Sequence, residues 1–206
     1  MERIIQKINA LSGEYHAHDI FQDWVQMMAI AINNQIYFDK KLEDRYINLT
    51  KKYSQNQLNL FCEMNGILVE LMENKIDDYL GKIYMGLNAS SSKTGQFFTP
   101  FHVCEMMARV SLANYDGKEF CLNEPSCGGS ANVLAIAKVM KEKEYDYQNL
   151  LKVVAQDLDF KCVFMSYVQL SICGISAKVI QGNTLTEEHN MVLYTPMYVL
   201  KGRWAK

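Results

Sequence analysis

The stretch Asn123-Glu124-Pro125-Ser126-Cys127-Gly128-Gly129-Ser130-Ala131 closes an apolar run (Phe120, Cys121, Leu122). It opens a helical pattern carried by Val133, Leu134, Ile136, Ala137 and Met140. Strand, glycine turn and helix therefore follow without a break. Glycines let the backbone turn sharply and approach a ligand closely, and the unpaired amides at a helix start suit a negative or strongly polar group. The spacing is neither the G-x-G-x-x-G of a dinucleotide fold nor a phosphate loop ending in Gly-Lys-Ser or Gly-Lys-Thr. The junction reads as a binding site of another kind.

Working outward, the carboxyl side of the chain alternates. Apolar runs predict strands over 119–123, 151–156, 178–181 and 191–194, with helices over 131–141 and 160–173. Strands alternating with helices imply parallel βαβ units, hence an α/β fold with a Rossmann-like, doubly wound sheet that binds ligands at the carboxyl ends of its strands. Just upstream, Thr99-Pro100 is a good helix start, with Val103, Met106, Met107 and Val110 expected on the buried face.

Before that the grammar is helical. Trp24, Val25, Met28, Ala29 and Ile32 share one face behind a candidate cap at Asp19. Leu58, Phe61, Cys62, Leu68, Leu71 and Met72 recur after Ser54, and residues 40–53 between them also read as helix. The small polar run over 88–95 marks a boundary. The division expected is a helical N-terminal domain over 1–88 and a Rossmann-like domain over 89–206.

The 206 residues, 49% of them hydrophobic, can bury a real core, but the formal charge of -2 lacks the basic excess of a stand-alone nucleic-acid binder. Any DNA contact is expected to be local or shared with a partner subunit. The six cysteines (62, 104, 121, 127, 162 and 173) form no C-x-x-C pair and read as reduced, pointing to the cytoplasm. No apolar run has the roughly 18 residues of a membrane helix, so no membrane association is expected.

Each expected strand end carries a polar or glycine cluster. The first ends in Glu124 and the glycines. The second ends in Gln156-Asp157-Leu158-Asp159, where a carboxylate can accept from two vicinal ribose hydroxyls. The third ends in Gly182-Asn183-Thr184-Leu185, whose amide can read an adenine edge while Leu158 and Leu185 cover the ring. Taken singly, Gly128-Gly129 suits a tight turn, Asp157 or Asp159 a helix cap, and Asn183 a turn. Only their order and spacing together describe a seat for a nucleoside.

The glycine turn resembles the cofactor loop of S-adenosylmethionine-dependent methyltransferases, in the Asp-Pro-x-Cys-Gly-Ser-Gly form of DNA adenine methylases, with Glu124 replacing the usual Asp. Asp78-Tyr79-Leu80-Gly81-Lys82-Ile83-Tyr84 and Gly95-Gln96-Phe97-Phe98-Thr99-Pro100-Phe101-His102-Val103 resemble the entry to the methylase domain in modification subunits of type I restriction-modification systems. Gln156-Asp157 is similar to that family's Gly-Gln-Glu, and Gly182-Asn183-Thr184-Leu185 to its Gly-Asp-Thr-Leu. The resemblance covers roughly residues 76–185.

It implies an N6-adenine DNA methyltransferase, or a methylase-like subunit, that uses S-adenosylmethionine. Phe98, Thr99 and Pro100 would hold the methionine end. Glu124, Pro125, Ser126, Cys127, Gly128, Ser130, Asp157, Leu158, Asn183, Thr184 and Leu185 would hold the rest. An aromatic ring can lie against a sulfonium and a hydroxyl at a helix start can bind a carboxylate. DNA, a specificity subunit and a second copy of the chain are the partners implied.

The family also carries Asn-Pro-Pro-Tyr after its fourth strand, whose acceptors align the target amine while the aromatic stacks on the flipped base. Here the corresponding stretch is Thr195-Pro196-Met197-Tyr198. By resemblance, Thr195 and the Pro196 carbonyl would be the acceptors and Tyr198 the stacking ring. Misplacement by about 1 Å can cost on the order of a hundredfold in rate. The alternatives are therefore a catalytically silent cofactor-binding or scaffold protein of a mobile element, and a methylase of RNA or protein. The chain would be a piece of a longer methylase or a compact relative.

Other residues point nowhere in particular. His16 and His18 are two apart, facing different sides of a helix, and no metal site is expected. His102 reads as a helix-surface histidine. Ser171 and Cys173 lack a paired base for nucleophilic chemistry.

Overall fold

A computed structural model describes residues 1–13, 15–88 and 98–201. The boundary expected at 88/89 and the motif residues Gly95, Gln96 and Phe97 lie outside the described residues. The front half is helical: α1 (Glu2–Leu11), α2 (Ala17–Ile36), α3 (Lys40–Thr50), α4 (Gln55–Asn74) and α5 (Tyr79–Asn88). Local chemistry fixes several of the starts. Asp39 accepts from Lys41 N and Leu42 N ahead of α3, and Ser54 forms a reciprocal capping box with Gln57 ahead of α4. Asp19 does not cap α2, which begins earlier, at Ala17, with His16 at its cap position.

The remainder alternates as expected: α6 (Phe101–Ser111), β1 (Phe120–Glu124), α7 (Ala131–Glu142), α8 (Tyr147–Leu150), β2 (Leu151–Asp157), α9 (Phe160–Ile172), β3 (Ser176–Gln181), β4 (Met191–Tyr194) and α10 (Pro196–Leu200). The strands form one sheet in the order β1-β2-β3-β4. The first three are parallel, with Leu122 opposite Val153 and Val153 opposite Ala177.

Because this order is unbroken, right-handed crossovers put α7 and α9 on the same face. Leu151, Val153, Ala155, Ala177 and Val179 on that face are fully buried, whereas Lys152, Val154 and Lys178 on the other face stay partly exposed. The winding seen here is thus single-sided. The helical half packs onto the same layer, with α2 against α9, so Trp24, Phe21 and Val25 join Phe164 and Met165 in one continuous core.

Two expectations are corrected. Met106, Met107 and Val110 of α6 face outward, 61%, 44% and 72% exposed, and the helix is buried instead through Phe101, Cys104 and Ala108. Cys104 and Ala108 are small, which lets α6 lie close on α7. The second correction concerns β4, which runs antiparallel to β3, Gln181 facing Met191 and Lys178 facing Tyr194. A parallel crossover needs about a dozen residues or more, and residues 182–190 fall short of that.

Candidate functional site: a glycine-turn crevice

The carboxyl ends of β1, β2 and β3 meet at one rim, and the glycine turn lies across it. Gly128 (φ +52°) and Ser130 (φ +69°) are both left-handed, the second being unusual for a residue with a side chain. Strain of this kind persists where the surroundings enforce it. The Cys127 amide donates to Gln156 O at 2.8 Å, and the Gly128 amide donates to Asp157 Oδ2 at 2.9 Å. Asp157 Oδ1 accepts from Asp159 N at 2.9 Å, its carbonyl accepts from Gly182 N at 3.0 Å, and the Thr184 hydroxyl donates to Pro125 O at 2.7 Å. The three strand ends are therefore stitched into one edge, with Asp157 as the knot.

Around it the sequence-predicted residues take distinct places. Glu124 is partly buried and accepts from Asn132 Nδ2 at 3.0 Å. Pro125 and Ser126 are exposed. Cys127 is buried, and burial pushes its thiol up to about 12, so it is no nucleophile at neutral pH. Ser130 is fully buried with its hydroxyl on Ser166 Oγ, turned away from the crevice. Asp159 caps α9 through Lys161 N. Asn183 Oδ1 accepts from Leu185 N at 3.0 Å, which is the turn chemistry its sequence also allowed. Leu158 and Leu185 stand 67% and 94% exposed at adjacent strand ends, an apolar pair open to solvent beside the polar rim.

On the other side of the turn, the Phe98 ring closes on Gly128. A Cβ on that glycine would lie 3.2 Å from the ring, and the ring also meets Tyr84 at a centroid distance of 5.2 Å. Among the described residues no side chain caps α6, which starts after Pro100, so Thr99 does not cap that helix. Phe98, Thr99, Cys104, Ser126, Cys127, Gly128, Ala131 and Asn132 enclose about 90 Å³. Ligand pockets usually hold roughly 300–1,000 Å³. The enclosed part is thus smaller than a usual ligand pocket.

Two groups here were not anticipated from sequence. Asn132 Oδ1 is buried with no hydrogen-bond partner among the described residues, an acceptor awaiting a donor at the crevice wall. Its signal was a polar residue inside the apolar pattern directly after the glycines.

The other group is a buried network behind the turn. Asp78, only 4% exposed, accepts at Oδ1 from Gly81 N and from Gln169 Nε2, each at 2.9 Å. Gln169 Nε2 also donates to Gly129 O at 2.7 Å, and its Oε1 accepts from Leu80 N at 3.1 Å. Burial raises the Asp78 pKa above the ordinary carboxylate range, opposed by the Gln169 and Gly81 hydrogen bonds. The helical half thereby grips the glycine turn from behind.

Thr195, Pro196 and Tyr198 do not reach this crevice. Because β4 is antiparallel, the chain leaves it at the opposite end of the sheet. There the fully buried Thr195 hydroxyl accepts from Ala177 N at 2.9 Å and donates to Ile175 O at 2.7 Å. Tyr198 is 1% exposed and stacks on Tyr194 at 4.8 Å. These residues close the base of the sheet, at the end away from the crevice.

The family described as N-6 DNA methylase matches residues 75–200, well over half of the chain. Among solved structures, the type I restriction-modification system methyltransferase subunit from Streptococcus thermophilus aligns with a TM-score of 0.46 and 12% identity, over 91% of this chain and 59% of that one. The chain thus spans less than two thirds of that subunit's length. No curated protein matches it.

Proposed function

Because this chain belongs to the N-6 DNA methylase family, we propose that it binds S-adenosylmethionine along the rim of Glu124, the glycine turn, Asp157 and Asn183. Its proposed role is adenine-specific DNA methylation, as a methylase-like subunit of a restriction-modification system. When bound, S-adenosylmethionine supplies a methyl group made electrophilic by its sulfonium.

The residues present suit that molecule. Each Asp157 oxygen accepts one hydrogen bond within the protein and has capacity for another, which ribose hydroxyls can fill. Leu158 and Leu185 offer two apolar faces for the adenine ring. Glu124 and the unpartnered Asn132 Oδ1 are acceptors suited to the ammonium. Phe98 and Thr99 stand beside the turn for the methionine end.

One observation supports the reading above the others: three parallel strand ends are hydrogen-bonded into a single polar edge beside two bare leucines. Isothermal titration of S-adenosylmethionine tests it. The double variant Leu158→Ser, Leu185→Ser, whose side chains are exposed, should fold normally and bind at least about tenfold more weakly, the scale of losing one buried leucine contact. Unchanged affinity would remove the leucines, and with them the assignment of the adenine seat.

The position of Thr195 and Tyr198 favours a second reading of the chemistry. The acceptors that orient a target amine come from elsewhere than the Thr-Pro-Met-Tyr stretch, or the chain binds cofactor without transferring its methyl.

A further inference from the structure

One peptide unit of the glycine turn, the carbonyl of Gly129 with the amide of Ser130, is held at both ends. The Ser130 amide donates to Cys127 O at 2.7 Å, and the Gly129 carbonyl accepts from Gln169 Nε2 at 2.7 Å. This peptide leads into the left-handed Ser130, at φ +69°. A left-handed residue with a side chain relaxes when the peptide before it turns over, so the surroundings must oppose that rotation.

Gln169 is suited to oppose it because its own amide cannot turn. It is fully buried on α9. Its Nε2 donates to Asp78 Oδ1 at 2.9 Å as well as to Gly129 O, and its Oε1 accepts from Leu80 N at 3.1 Å. Turning the amide over would set an oxygen against two acceptors and an NH₂ against the Leu80 amide.

The orientation decides what the crevice wall offers. Gly129 and Ala131 line the enclosed part, and among the described residues no acceptor reaches their backbone amides. With Gly129 O drawn back onto Gln169, the wall at this point presents N–H groups, which suit a carboxylate. With the peptide reversed, a carbonyl would face the crevice and repel one. A buried N–H of Gln169 would also lose its acceptor, which is costly.

We propose that Gln169 is a positioning residue for the crevice: by holding the Gly129 carbonyl away from it, this glutamine selects ligands that carry a carboxylate, the amino-acid end of S-adenosylmethionine in the first instance. Gln169 lies 40 residues from Gly129 along the chain and does not line the crevice. The assignment rests on the cofactor reading above and names what fixes the methionine end.

Calorimetric titration of the full chain with two ligands tests it: S-adenosylmethionine, and 5′-methylthioadenosine, which keeps the nucleoside and the sulfur and lacks the amino-acid end. Gln169→Met keeps the length of the side chain and removes both donors. It should weaken S-adenosylmethionine about tenfold, the scale of one hydrogen bond to a charged group, and change methylthioadenosine by less than about twofold. A merely structural role would weaken both ligands alike.

An equal loss for both ligands in a folded variant, or no loss for either, overturns the assignment and leaves the cofactor reading intact. Wild type that binds the two ligands equally also overturns it, since the carboxylate would then add nothing. Wild type that binds neither sinks the cofactor reading and the assignment with it. Should Gln169→Met fail to fold, Gln169→Glu keeps the shape and the acceptor facing Leu80 N while setting an oxygen against Gly129 O. The same selective loss is expected, and an equal or absent loss refutes the assignment.

Discussion

Gly129 has no side chain where a Cβ would stand 3.1 Å from Asp78 Oδ1, so the turn at the crevice closes directly onto a carboxylate from the helical half. Gln169 bridges the same two residues, from Asp78 Oδ1 to Gly129 O.

The contact predicts that glycines of this chain differ sharply in their tolerance. Gly81→Ala would drive a Cβ to 2.1 Å from a carboxylate held by two hydrogen bonds, and overpacking of this kind costs on the order of 1–3 kcal/mol. Gly66→Ala, inside α4 with nothing within 4 Å, should instead stabilise by about 0.5–1 kcal/mol through helix propensity. Urea unfolding midpoints of the two variants should move in opposite directions.

Asp78 also sets a pH dependence whose sign runs against the usual carboxylate pattern. Its pKa in the fold is raised by burial, so at pH values between the unfolded and folded pKa the folded chain holds a proton that the unfolded chain has released. Stability from this group is therefore full below the ordinary carboxylate range and declines as pH rises through the raised value. The Asp78→Asn variant lacks that decline. Midpoints measured from about pH 4 to about pH 8 should show wild type losing ground to the variant as pH rises, whereas a constant difference would mean that Asp78 does not titrate.

Thr195→Val separates structure from chemistry at the far end of the sheet. It removes a hydroxyl that holds Ala177 N and Ile175 O in a fully buried position, costing about 1–3 kcal/mol. Affinity for S-adenosylmethionine should not change, because the residue lies at the other end of the strands. Weakened cofactor binding in a variant that remains folded would return Thr195 to the crevice.

The sheet was legible because its apolar runs are short, bounded and separated by helical patterns; 191–194 matches the observed β4, and the other strands differ by at most two residues. The glycine turn was legible for the same local reason. Strand direction was not, since four apolar residues read alike either way; the brevity of residues 182–190 was the available signal. On α6 two apolar stripes compete, and the sequence does not say that the one with smaller side chains wins. Nor does it show that Asp78 is buried, because its partner Gln169 lies 91 residues away in sequence and acids are seldom found inside.

The packing of α2 on α9 also bears on how the molecule can be handled. Phe21, Trp24 and Val25 share one buried cluster with Phe164 and Met165, all nearly inaccessible to solvent. Expressed as separate halves, each would show a greasy flank and precipitate, whereas the two made together in one cell should find one another and stay in solution. Biochemistry on an excised methylase portion would then describe a damaged object.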